Sequence, residues 1–242
     1  MFSRYYFFEV MELKKFKIYS ELIYVLALLL LPLSVAMMTA ADYGISMIVA
    51  PAYILSLRFS IFTFGQWNYI LQGFLFIAFC IAVKRFKPIY LVSFLTCVIY
   101  GTILDLWMTI IPALNPDITP AGSMDTWVRL ALFIGGLLIT SFSVTFFFRS
   151  YIYPQVCDFF IKGLMERYNL NQTKSKWIYD MSYLIISIVL SLTLLGEFKG
   201  VEWGTIVVAL IASPIIGVFS KVYDRFFETV PLLKKAEKLF KY

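Results

Sequence analysis

Long apolar windows constrain this chain more than any other feature of its sequence. A helix needs about 20 mostly apolar residues to cross the hydrocarbon core. Windows of that kind fall near residues 21–41, 63–83, 88–113, 128–148, 177–197 and 203–224. They occupy most of the 242 residues, so 1–242 reads as a single membrane domain with no room for a separate soluble one. Only 15% of the residues are charged, against roughly 25% in ordinary soluble domains. The predicted fold class is an all-α polytopic membrane protein with about six transmembrane helices in contact with the lipid bilayer. Residues 1–20 are too aromatic and charged for a signal peptide, and the first apolar run is longer than a secretory core. The first span is therefore expected to serve as its own insertion signal.

Two further segments are too short to span. Residues 44–57 are apolar and carry Pro51; residues 153–168 set Cys157, Phe160, Ile161 and Leu164 against Asp158, Lys162 and Arg167. Both are read as short re-entrant or interfacial helices. The ends, 1–20 and 226–242, mix Tyr5, Phe7, Phe8, Leu232, Leu233 and Phe240 with lysines, the composition of interfacial cytoplasmic helices.

Basic residues collect on the cytoplasmic side of membrane proteins. With the N-terminus inside and 44–57 not crossing, only Arg58, Arg129 and Lys199 of the 21 Lys and Arg residues fall outside. If 44–57 crossed, the Lys84, Arg85 and Lys87 cluster would be forced outside. The expected location is a cell membrane, multi-pass, with both termini cytoplasmic. The net charge of +6 is then a property of span flanks, and nucleic acid is not an expected partner.

The halves 21–113 and 128–225 share an order of long span, short element, long span, long span, at a spacing of about 110 residues, longer than solenoid repeats. Trp67-Asn68-Tyr69 opens the second span of one half and Trp177-Ile178-Tyr179 that of the other. The third span of each carries a small-residue break, Gly101-Thr102 and Ser213-Pro214. Three crossings per half is odd, so the repeat is expected to be inverted, 3+3, as in many secondary transporters.

These residues resemble the YczE/YyaS/YitT-like bacterial membrane proteins, a largely uncharacterised group. The resemblance rests on Ala41-Asp42-Tyr43-Gly44 after the first span, on Thr63-Phe64-Gly65-Gln66-Trp67, on the pattern from Gly101 to Asp105, and on Trp203-Gly204-Thr205 with Ser213-Pro214-Ile215-Ile216-Gly217. The second half departs from it, with Ser150-Tyr151-Ile152-Tyr153 in place of the second turn, and Val49 replaces an acidic residue expected after Gly44, while Asp158 survives in the second half. The resemblance implies an integral membrane protein, a transporter among the readings, and no settled activity.

The chain has no histidine, which removes the commonest general base and metal ligand. It also lacks phosphate-binding glycine motifs, so it is not expected to be an enzyme and no cofactor is implied. Cys80, Cys97 and Cys157 lack metal-ligand spacing and read as small hydrophobes. Polar groups at membrane depth are costly unless paired or facing a cavity. The substrate-binding candidates are Asp42, Gln66, Asn68, Gln72, Asp105 and Asp158, with Asn68 and Gln72 one turn apart on a shared face. Asp42 is expected either to cap the first short helix or to bind a cation or solute amine with Asp105. Ala36 and Ala40 suit close helix packing or docking of a partner. The leading expectation is a small-solute permease working by alternating access on an unknown small polar or cationic solute. The alternative is a non-catalytic membrane subunit, a substrate-capture component of an importer or a regulatory scaffold.

Overall fold

A computed structural model describes residues 15–84, 86–169 and 172–240. After the short strand β1 (Phe16–Tyr19) come α1 (Ser20–Ala41), α2 (Ala50–Arg58), α3 (Phe64–Val83), α4 (Leu91–Ile110), α5 (Thr126–Arg149), α6 (Val156–Tyr168), α7 (Gln172–Leu190) and α8 (Trp203–Phe226). Strand β2 (Phe227–Val230) and the short helix α9 (Lys234–Leu239) follow. Among the described residues six helices, α1, α3, α4, α5, α7 and α8, are long and apolar enough to cross a membrane. The chain is an all-α multi-pass membrane protein, as the apolar windows predict.

Local chemistry sets the helix ends. Asp42 closes α1 in the left-handed region (φ 52°), its N–H donating to Thr39 O at 3.2 Å. α2 carries Pro51 in its first turn, where a missing N–H costs nothing. At 9 residues it is about 14 Å long, too short to cross. Thr63 and Gln66 form a reciprocal capping box at the start of α3, which satisfies two otherwise orphaned N–H groups. α7 ends in a π-helical turn, Ser191–Leu195, closed by Gly196 at φ 74°.

Helix α1 is the hub: 50% of its apolar stretch is buried, against 11% for those of α7 and α8. It packs along α5 and against α4. A Cβ on Gly136 of α5 would come within 2.6 Å of Met38 Cγ and 2.9 Å of Ser34 O, so glycine is what lets the two backbones meet. Ser34 Oγ and Thr140 Oγ1 bond across the same crossing at 2.8 Å. Ala36 and Ala40 are both 0% exposed; they serve packing within the chain, and neither is free to dock a partner.

The two faces of the bundle differ. On one, the termini face, β1 pairs in parallel with β2, Phe16 opposite Phe227 and Tyr19 opposite Val230. Arg149 and Asp224 form an ion pair there, and Ser20 Oγ donates to Ser150 Oγ at 3.2 Å. Glu21 accepts the N–H groups of Leu232 and Leu233 at 3.0 Å and the Tyr151 hydroxyl at 2.6 Å. The opposite face carries Asp42, the Thr63 cap, and the start of α8, where Gly204 N–H donates to Tyr43 O at 2.8 Å.

Three expectations change. Residues 16–19 and 227–230 are strands, because the two segments meet and satisfy each other's backbone; the expected helical character survives at this end only in α9, and residues 1–14 lie outside the described residues. α4 and α8 run unbroken through Gly101 and Pro214. Gly101 marks a close approach: a Cβ on it would lie 2.5 Å from Gly65 O. Asp42 is not the cap of α2, whose N-cap is Val49 without a side-chain bond.

Candidate functional site

The six candidate residues fall into three places. The first is a cavity of about 430 Å³ on the face opposite the termini, between α2, the start of α3, the end of α4 and the loop at 115–117. Asp105 and Gln66 line it, as do Tyr53, Thr63, Thr109 and Asp117. Asp105 reaches from α4 to the N-terminus of α3: Oδ2 accepts from Thr63 Oγ1 at 2.5 Å and Oδ1 from Gly65 N–H at 2.9 Å. A carboxylate is favoured there because a helix N-terminus presents unpaired N–H groups and a partial positive charge. The Gly65–Gly101 contact brings α4 close enough for this bond. The Thr63 hydroxyl meanwhile accepts from Gln66 N–H at 3.1 Å, and Gln66 Oε1 accepts from Thr63 N–H at 3.0 Å. These residues hold one cavity wall rigid. The lining holds two carboxylates and no Lys or Arg.

The second place is a buried polar layer deeper in the bundle. Gln72, 3% exposed, donates through Nε2 to Gln155 Oε1 at 2.9 Å. Its Oε1 accepts from Cys97 Sγ at 2.9 Å and from Cys157 N–H at 3.4 Å. Ser93 Oγ donates to Pro154 O at 2.7 Å, and Val156 N–H to Cys97 Sγ at 3.3 Å. The chain at 150–155 therefore runs inward from the termini face beside α4, and α6 turns back from the depth of Gln72, with Tyr168 donating to Ala82 O at 2.7 Å near the end of α3. Asp158 lies in the first turn of α6, at the inner end of this re-entrant hairpin. Asn68, one turn from Gln72 and 2% exposed, has a buried Nδ2 without a hydrogen-bond partner among the described residues.

Asp42 belongs to neither. It stands at a third place, where Arg129 Nε donates to Ala41 O at 2.8 Å and Nη2 to Asp42 O at 3.0 Å. The guanidinium lies 4.4 Å from the Tyr43 ring centre. Arg129 thus answers the negative end of α1. Partial burial and the nearby Asp42 carboxylate push Glu202 up to about 7, against the opposing pull of Arg129 and Lys199.

Asp105 and Gln66 line one cavity, and Asn68 and Gln72 are buried one layer below. Asp42 does not join Asp105. Tyr53 was missed because an aromatic residue in an apolar segment reads as core. The Thr63-x-x-Gln66 spacing is a signal that could have shown the capping box, and the box explains Gln66 better than a polar stripe does. Gln155 as the partner of Gln72 lies 83 positions away, beyond any local pattern.

A family model described as a family of unknown function, DUF6198, matches residues 18–221. No curated protein and no solved structure matches the chain.

Proposed function

We propose that this chain, which belongs to the DUF6198 family of unknown function, is a small-solute permease of the plasma membrane that works by alternating access. One observation carries the reading: a polar cavity of about 430 Å³ opens on one face, and a hydrogen-bonded polar layer is buried deeper in the bundle. A volume of that size suits a small molecule, and cavities that open on one side at a time are what alternating access requires.

The helix contacts support an inverted repeat of 21–113 and 128–225. α1 packs on α4 as α5 packs on α8, and α3 receives α6 as α7 receives α2, while α1 and α5 meet each other. That is the pattern a pseudo-two-fold through the α1–α5 contact would give. The short helices α2 and α6 then enter from opposite faces, in the manner of discontinuous transporter helices. Half one is closed around Gly65 and Gly101, whereas α7 and α8 are splayed about an apolar cleft lined by Leu184, Ile188 and Ile206. Alternation would exchange these two arrangements. The distribution of Lys and Arg supports a cytoplasmic termini face, with the cavity then outside. The resemblance to the YczE/YyaS/YitT-like proteins agrees with this reading, and no enzymatic role is assigned.

The test is solute flux into liposomes holding the purified chain. Asp105→Asn keeps an acceptor for Gly65 N–H but removes the charge, and is expected to abolish uptake while the protein stays folded. Undiminished uptake by the folded variant refutes the role of the cavity. The broad lipid-facing surfaces of α7 and α8 favour a second reading, a membrane subunit docked there; a stable partner co-purifying from native membranes, with no flux by the chain alone, selects it.

A further inference from the structure

We infer that the cavity at the Asp105 face is a binding site for a small organic ammonium, the cationic group held among Asp105, Asp117 and the Tyr53 hydroxyl. The inference names the substrate class of the proposed permease and rests on the same cavity.

Four observations converge. The lining is charged in one sense only, with Asp105 and Asp117 and no base among its residues. Tyr53, 4% exposed, lines the cavity from α2, and its hydroxyl has no hydrogen-bond partner among the described residues. A phenol that lines an accessible cavity and bonds no neighbouring group is available to donate to or accept from a ligand atom. Burial first, and then the acidic groups Asp42, Asp117 and Glu202, push the Tyr53 phenol upward, in keeping with the acidic lining. Last, the cavity is far larger than a bare ion, and its remaining walls include Phe62, Phe64 and Met108. The Phe64 ring stands 5.3 Å from that of Tyr53. Apolar and aromatic walls accept the carbon portion of an amine and add cation–π attraction. Hydrated metal ions and anions use neither feature.

Asp105 already accepts two bonds and keeps further lone pairs, since a carboxylate accepts about four. Its geometry is fixed by Thr63 and Gly65, so a bound ammonium meets an acceptor that does not have to reorganise. Preorganisation of this kind lowers the cost of binding.

The experiment is equilibrium binding to the purified full chain by thermal shift, with benzylammonium chloride as probe and benzyl alcohol and sodium benzoate as neutral and anionic controls. A ligand of the folded state raises Tm by mass action. The expected result is a saturable shift with benzylammonium alone. Asp105→Asn is expected to weaken it about tenfold or more, the usual worth of a hydrogen bond to a charged group. Because Asp105 also caps α3, two variants with no capping role, Tyr53→Phe and Asp117→Asn, are measured beside it and are each expected to weaken binding. Equal shifts with benzyl alcohol, no shift with the amine, or an affinity unchanged in both Tyr53→Phe and Asp117→Asn overturns the inference. The readout separates the two proposals: amine binding without flux refutes the permease alone, and flux of a neutral solute without amine binding refutes the ammonium site alone.

Discussion

Replacing Gln72 by Leu tests whether the buried polar layer holds the re-entrant hairpin of α6 in place. Leucine is close to glutamine in volume, so the substitution removes bonding capacity without opening a large cavity. Three bonds disappear: to Gln155 Oε1 (2.9 Å), to the Cys97 thiol (2.9 Å) and to Cys157 N–H (3.4 Å). The Cys97 thiol keeps the Ser93 carbonyl at 3.2 Å, so the group left orphaned is Gln155 Oε1. A buried orphan costs about 1–3 kcal/mol, so a loss of about 2 kcal/mol is expected. Removing both side chains, in Gln72→Leu with Gln155→Leu, deletes one orphan along with its partner. The double variant should therefore be more stable than the sum of the singles predicts, by about 0.6 kcal/mol, the average for hydrogen bonds inside membranes, and at most about 1.7 kcal/mol. Equilibrium unfolding in mixed micelles, followed by tryptophan fluorescence, provides the four free energies of the cycle. Strict additivity would refute the Gln72–Gln155 bond. A loss below about 0.5 kcal/mol for Gln72→Leu would show that the layer is not closed as described.

Other outcomes follow from the same geometry. Gly101→Ala places a methyl against the Gly65 carbonyl and is expected to cost about 1–3 kcal/mol in the same unfolding assay; Gly217→Ala, whose Cβ meets nothing within 4 Å, should be neutral or stabilising by up to about 1 kcal/mol through helix propensity. Glu202 is raised from 4.5 to about 7 in the folded protein, so the folded state binds the extra proton and stability falls as pH rises between those values. Tm of wild type relative to Glu202→Gln should accordingly drop from pH 4.5 to 7 and level off above; a difference independent of pH would contradict the shift. Glu21→Ala frees the N–H groups of Leu232 and Leu233 and should speed tryptic cleavage at Lys234 and Lys235, read by the rate of loss of the intact chain.

The six spans were legible because membrane crossing depends on length and apolarity, quantities that local sequence carries in full. The short elements were legible for the complementary reason, since neither is long enough to cross. Roles that depend on meeting a distant segment were not. Asp105 reads as an isolated acid in its span and becomes the cap of α3 only when Gly65 and Gly101 bring the helices together. Asp42 reads as an N-cap beside a glycine, yet its own left-handed backbone spends it on ending α1. The lysine-rich ends read as amphipathic helices because four-residue strands leave almost no periodic trace; their pairing depends on residues 211 apart, Phe16 with Phe227.

That strand pair has a consequence for biogenesis. β1 emerges from the ribosome before any span, whereas its partner β2 emerges only after α8 has been made. Through the whole of synthesis β1 carries unpaired backbone groups beside the membrane, and long-range contacts of this kind form late because the intervening chain must first be ordered. The β1–β2 ladder can close only when the first and last helices have inserted with their ends on the same face. A span skipped or inserted backwards would leave the two strands on opposite sides of the bilayer, so the closed ladder acts as a topological checksum on the finished molecule.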